Sequence, residues 1–201
     1  VRRRRLRRTV IILAVLTLVT LFATGAVGTS IARAKDLVDS VHITLTPNTG
    51  WPQQTGITEP TAVAKLSGGF AEMDTDTCVV YSFGGAKLNS VQSGYARPAL
   101  AAGKSRFVLY NRSGNELRVE SRSRTLFENK FDDAIQLCAM SPNGTLAVFT
   151  KSKLYVYDPM FENIYTFQTQ DLPTALAFAG DNRQFAAGCP YAEGGARGGA
   201  G

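Results

Sequence analysis

Two hydrophobic patterns divide the chain. From Val10 to Val27 no position is charged, and only Thr17, Thr20, Thr24 and Gly25 interrupt the apolar run. A helix over these residues reaches about 27 Å, close to the roughly 30 Å hydrocarbon core of a bilayer. From residue 70 to 190 the texture is different. Short apolar or alternating runs are broken by Gly, Pro, Asn and Asp. A period of two with such punctuation predicts strands and hairpin turns.

The strand region repeats. Ala99–Tyr110, Cys138–Phe149 and Ala177–Gly188 align as apolar strand, polar turn, apolar strand, and Phe107, Leu146 and Phe185 fall 39 residues apart. A period near 40 with several strands per unit predicts propeller blades. A generic antiparallel sandwich is the alternative. The runs Phe107–Tyr110 and Leu146–Phe149 are apolar on both faces, as inner strands covered on both sides must be. The runs Glu116–Arg122, Thr125–Phe131, Lys153–Tyr157 and Asn163–Phe167 read as outer strands. Ser141-Pro142-Asn143-Gly144 and Asn111-Arg112-Ser113-Gly114 have turn chemistry. A less regular unit precedes these, through Gly68–Phe83 and Ala86–Gln92, with Asp74-Thr75-Asp76 at its turn.

The expected fold is therefore all-β: a partial β-propeller of about three blades of antiparallel four-stranded sheet, preceded by one N-terminal transmembrane helix. Its expected parts are a cytoplasmic basic segment (1–9), a transmembrane signal anchor (10–27), a linker or lead-in (28–69), incomplete propeller-like repeats (70–190) and a Gly-rich tail (191–201). In the lead-in, Val41, Ile43 and Leu45 alternate with His42 and Thr44 as a short strand would, and Trp51 is expected to pack the lead-in onto the domain. The tail shows no strand pattern. Three blades do not close a ring, so either a C-terminally truncated chain or closure between chains is expected.

Charge fixes the orientation. The chain has 22 Lys plus Arg against 16 Asp plus Glu, a formal charge of +6. Arg2, Arg3, Arg4, Arg5, Arg7 and Arg8 supply that surplus; without them 16 basic residues face 16 acidic ones. A phosphate-binding surface needs a basic excess on the fold itself, so nucleic acid is not an expected partner. Arginines flanking an apolar helix stay cytoplasmic, which places the following domain outside. Cleavage after a small-x-small site such as Ala32-Arg33-Ala34 competes with retention as an anchor. The run is longer than the usual signal-peptide core, which favours the anchor. Val at position 1 fits either a missing start or a literally translated GTG codon, the latter pointing to a bacterial gene.

Candidate chemistry is sparse. His42 is the one histidine in the sequence, so a Ser-His-Asp triad has no base within the domain. Cys78, Cys138 and Cys189 lack metal-site spacing and read as small apolar core residues. Asp74/Asp76 and Asp132/Asp133 are the acidic pairs, and both suit turns better than a calcium loop. Asn111-Arg112-Ser113 and Asn143-Gly144-Thr145 match the glycosylation sequon but sit in turns. Arg118, Arg122 and Arg124 alternate with Glu120 in the manner of a solvated face. No catalytic, cofactor or metal residues are assigned, and no cofactor is expected.

The runs Gly94–Leu100, Arg106–Tyr110, Glu116–Arg124 and Ala139–Gly144, behind the basic helix and its Trp-Pro lead-in, resemble an uncharacterised family of bacterial membrane-anchored WD40-like β-propeller proteins. Trp-Asp and Gly-His signatures of the WD40 repeat proper are missing. The resemblance implies topology and fold, not chemistry. The expected function is a single-pass, cell-membrane-anchored extracytoplasmic module that binds or scaffolds without catalysis. Its expected partners are the membrane, through the N-terminal helix, and a protein or glycan of the cell envelope. The alternative is a fragment of an enzyme or cofactor-binding propeller whose site lies in further blades.

Overall fold

The computed structural model describes residues 41, 47, 49–169, 173–179 and 184–188, and the backbone of 196–199. The expected membrane helix at 10–27, the basic segment 1–9, His42 and Cys189 lie outside the described residues. So does the short strand expected around Ile43. Among the described residues no helix is long and apolar enough to cross a membrane.

Fifteen strands are described, in four antiparallel sheets connected in sequence order. The first sheet holds β1 (Ala62–Leu66), β2 (Gly69–Met73), β3 (Thr77–Ser82) and β4 (Lys87–Gln92). The second holds β5 (Pro98–Ala102), β6 (Arg106–Asn111), β7 (Glu116–Ser121) and β8 (Thr125–Lys130). The third holds β9 (Ile135–Met140), β10 (Leu146–Thr150), β11 (Lys153–Tyr157) and β12 (Asn163–Gln168). The fourth holds β13 (Ala175–Phe178), β14 (Gln184–Gly188) and β15 (Ala196–Gly199). Each sheet is an up-and-down meander. The first strands β1, β5, β9 and β13 adjoin one another in succession. This is the radial layout of propeller blades, with first strands inside and fourth strands on the rim.

Three boundaries differ from expectation. β1 lies within the stretch read as lead-in. Its sequence, Ala-Val-Ala-Lys-Leu, carries little strand signal of its own and is held by pairing, Ala62 opposite Met73 through Leu66 opposite Gly69. β15 lies within the Gly-rich tail and pairs with β14; ladder bonds are made by the main chain, so a strand edge can recruit a segment with almost no side chains. Finally, β7 and β11 are third strands paired on both edges, not rim strands.

The 39-residue repeat has a packing cause. Alternate residues of each second strand face opposite neighbours. Phe107 and Leu109 pack toward the first sheet, among Leu66, Met73, Cys78 and Val80. Val108 and Tyr110 pack toward the third, among Ile135, Cys138, Met140 and Leu146. From β10, Ala147 and Phe149 meet Phe185 and Leu176 of the fourth sheet. Phe107, Leu146 and Phe185 thus occupy one position, the side of the second strand that faces the preceding sheet. A register shift also recurs between third and fourth strands, at Val80/Tyr81, Val119/Glu120 and Val156/Tyr157. Such bulges add twist at the rim.

Turn chemistry sets the hairpins. Asp74 Oδ1 accepts the amides of Asp76 and Thr77 at 2.8 and 2.6 Å, closing the β2–β3 turn. In the β9–β10 turn Asn143 Oδ1 accepts from Thr145 N at 3.1 Å, and Gly144 takes φ +96°, a left-handed conformation that favours glycine. Gly69 serves close approach instead, since a Cβ there would meet the Tyr81 carbonyl oxygen at 2.0 Å.

Phe70 is the first sheet's counterpart of Phe107. No described sheet precedes it, and Trp51 lies there instead. Its ring stacks on Phe70 with centroids 5.7 Å apart and meets Tyr81 at the same distance, while Nε1 donates to the Phe83 carbonyl at 2.9 Å. The lead-in is pinned to the domain by this residue, as its size and polarity suggested.

Candidate functional site

The polar groups that matter most sit between sheets. β7 reads Glu-Leu-Arg-Val-Glu-Ser, and its two faces diverge. Leu117 and Val119 enter the apolar seam with the third sheet. Arg118, Glu120 and, one step beyond the strand, Arg122 turn toward the first. These residues were expected on a solvated face, and the structure corrects this: Glu120 is 0 % exposed and Arg122 2 %. Only Arg124, in the β7–β8 turn, stays in solvent. Alternation read correctly that β7 has two kinds of face. It could not show that a neighbouring sheet covers the polar one.

Burial makes each contact consequential. Glu120 Oε1 accepts from Thr125 Oγ1 at 2.9 Å and lies 3.1 Å from Arg118 Nε. Its Oε2 is buried without a hydrogen-bond partner, beside the Asn89 amide of β4. Burial raises the Glu120 carboxyl above the usual carboxylate range, and this outweighs the opposing pull of Thr125 and Arg118. Arg118 Nη2 reaches across to the Gln92 carbonyl at 2.6 Å. Arg122 Nη1 donates to the Ser67 carbonyl in the β1–β2 turn. In the other direction, Arg106 Nη1 donates to the Pro159 carbonyl of the third sheet at 2.6 Å, with its guanidinium 5.6 Å from the Phe161 ring centroid. Phe161 in turn stacks on Phe127 at 4.8 Å. Three arginines of the second sheet therefore stitch it to both neighbours.

The cysteines are in different seams. Cys78 belongs to the core between the first and second sheets, Cys138 to that between the second and third. The second sheet separates them, and both thiols are free. Burial, then the charge of Glu120, pushes the Cys78 thiol up to about 12; burial raises Cys138 well above its ordinary value. A thiol so placed stays protonated at neutral pH and is a poor nucleophile.

Several remaining candidates have structural partners. Asp74 closes a turn, as above, and Asp133, in the loop before β9, accepts from Ser152 Oγ in the β10–β11 turn. Asn111 Oδ1 accepts the Arg97 amide at 3.2 Å, and Ser113 adopts φ 64° in the turn beside it. Among the described residues no three His, Cys, Asp or Glu side chains converge as metal ligands.

Residues 48–197 match the model of a family of unknown function, DUF5711. The chain belongs to that family. No curated protein matches the sequence. Solved propeller structures are among those similar to this DUF5711 chain. Hsv2p of Kluyveromyces lactis matches with a TM-score of 0.55 and 9 % identity, over 67 % of this chain and 47 % of that one. BamB of Moraxella catarrhalis matches at 0.50 and 15 %, over 63 % and 41 %. KlAtg21, solved in complex with the coiled coil of AgAtg16, matches at 0.53 and 14 %, over 69 % and 50 %. The DUF5711 chain thus spans half or less of the length of these structures. At such identities the likeness establishes a propeller-like all-β fold and nothing of its chemistry.

Proposed function

We propose that this DUF5711 chain is a propeller module held outside the cytoplasmic membrane by Val10–Val27, and that it binds a protein of the cell envelope without catalysis. The observation that carries this reading is the use of the buried ionic groups. Arg118, Arg122 and Arg106 bond to neighbouring sheets and Glu120 lies against Arg118, so their role is to hold a rigid scaffold together. The arginine cluster before Val10 supports the orientation. The similar KlAtg21 propeller, solved with a coiled coil, supports a protein ligand.

Two measurements in the native cells test it. A Lys87→Cys variant in a Cys189→Ser background places a thiol on an exposed rim position. A membrane-impermeant maleimide is expected to label it before lysis; labelling only after lysis overturns the location. An impermeant crosslinker is expected to give a discrete adduct with another protein. Monomer or homodimer alone overturns the binding role.

A further inference from the structure

The rim strands are not alike. β4 carries Lys87, and β8 carries Glu128 and Lys130. Charged residues on a rim strand oppose edge-to-edge pairing because they must be desolvated. β12 reads Asn-Ile-Tyr-Thr-Phe-Gln and carries no charge. All six of its residues are exposed, with Ile164 at 51 %, Tyr165 at 47 % and Phe167 at 50 %. Among the described residues it is the last strand of its sheet, with β11 on one side and no strand on the other.

We propose that β12 pairs with β12 of a second copy of this chain, antiparallel about a two-fold axis through Thr166. The register follows from the strand itself. A two-fold axis perpendicular to the sheet keeps each face on its own side, so opposed residues must have the same parity. Centring on Thr166 sets Tyr165 opposite the second copy's Phe167, twice by symmetry, and Ile164 opposite Gln168. The two aromatic pairs then share one face, the kind of cross-strand contact that stabilises a sheet. The hydrogen bonding agrees. Thr169 N donates to the Ser152 carbonyl at 2.9 Å and Gln168 lies opposite Lys153, so Phe167 and Tyr165 direct their main-chain groups at β11, and those of Thr166 and Gln168 point to the open edge. Tyr165 and the second copy's Phe167 therefore fall at a non-hydrogen-bonded pair, where opposed side chains lie closest. Thr166 falls at a hydrogen-bonded pair, with Cα atoms about 5.5 Å apart. No charge on either strand is desolvated. A six-residue strand covers less than the roughly 1,200 Å² of a standard stable interface, so the dimer is weak and concentration-dependent.

The geometry gives a direct trap. Two Cα atoms at about 5.5 Å are within disulfide range. The full chain is purified in mild detergent with Cys189→Ser and Thr166→Cys and treated with a mild oxidant; Cys78 and Cys138 are buried and do not compete. A covalent dimer is expected to form at least tenfold faster than with Lys87→Cys on β4. Adding Phe167→Lys should slow it at least tenfold while lowering the urea midpoint only slightly, since that side chain is half exposed. Equal rates for the two cysteine variants, or no effect of Phe167→Lys, overturns the proposal. So does a Thr166→Cys chain that crosslinks in cells only to a different protein, which assigns β12 to a heterologous strand. A fluorophore at position 166 that moves into an apolar environment on adding anionic vesicles, without dimer formation, assigns it to lipid and equally overturns self-pairing.

Discussion

Replacing Phe107 by alanine probes the seam that the repeat exists to build. The Phe107 side chain is fully buried between the first two sheets, against Leu66, Met73, Cys78 and Val80. Truncating such a phenylalanine removes its transfer free energy and leaves a cavity that a stacked pair of sheets cannot collapse, at a cost of about 3–5 kcal/mol. That is a large share of the roughly 5–15 kcal/mol that holds an ordinary domain. Phe70 is the internal control. It has the same repeat position and chemistry, but it is only half-buried, with Trp51 in place of a preceding sheet. Its loss should cost about 1–2 kcal/mol, from a partial burial term and an aromatic contact. Urea titration of the full chain in mild detergent measures both. Trp51 fluorescence reports the first sheet and far-UV circular dichroism the remainder. Phe107→Ala costing under about 1 kcal/mol, or Phe70→Ala costing as much as Phe107→Ala, would refute the assignment of these positions to sheet-to-sheet packing.

Other consequences are independent of that seam. The raised Glu120 carboxyl means that the folded state holds this proton more tightly than the unfolded chain, so its contribution is present below the ordinary Glu value near 4.3 and lost as pH rises through the folded value. The urea midpoint of the parent should therefore rise relative to Glu120→Gln as pH falls from neutrality toward the ordinary Glu value; an unchanged or opposite difference contradicts the burial-dominated account. Cys78 and Cys138 should resist an aromatic disulfide reagent in the folded state and react on unfolding, since both are buried and protonated; rapid reaction at neutral pH without denaturant counts against their placement. Arg106→Met should lower stability by about 1–3 kcal/mol through loss of the charged hydrogen bond to Pro159 and the contact with Phe161. An equal effect in a Phe161→Ala background would show that the two residues do not act together.

Much of this architecture was legible in the sequence because it is written as period-two patterning. Phe107, Leu146 and Phe185 recur because each meets the preceding sheet, and the runs around Phe107 and Leu146 are apolar on both faces because each has a sheet on either side. Turn residues such as Asp74, Asn143 and Gly144 announce themselves through chemistry that operates within a few residues. What failed depends on contacts distant in sequence. β1 is specified by its pairing with β2, not by Ala-Val-Ala-Lys-Leu. Glu120 looks like any alternating surface carboxylate until the first sheet covers it, and Arg122 becomes a stitch only when Ser67, 55 residues away, is brought beneath it. One sequence cue does separate the rim strands: β12 lacks the charges carried by β4 and β8.

Amide hydrogen exchange across the strands tests the stacked-blade arrangement most directly. The account predicts slow exchange in β2, β3, β6, β7, β10 and β11, which are paired on both edges, and fast exchange at the outer edges of β4, β8 and β12. The decisive segment is β7, Glu116–Ser121. Protection there comparable to β6 supports a third strand buried between sheets. Exchange as fast as in β8 would make it the solvated rim strand that its alternating charges suggest, and would contradict the blade assignment.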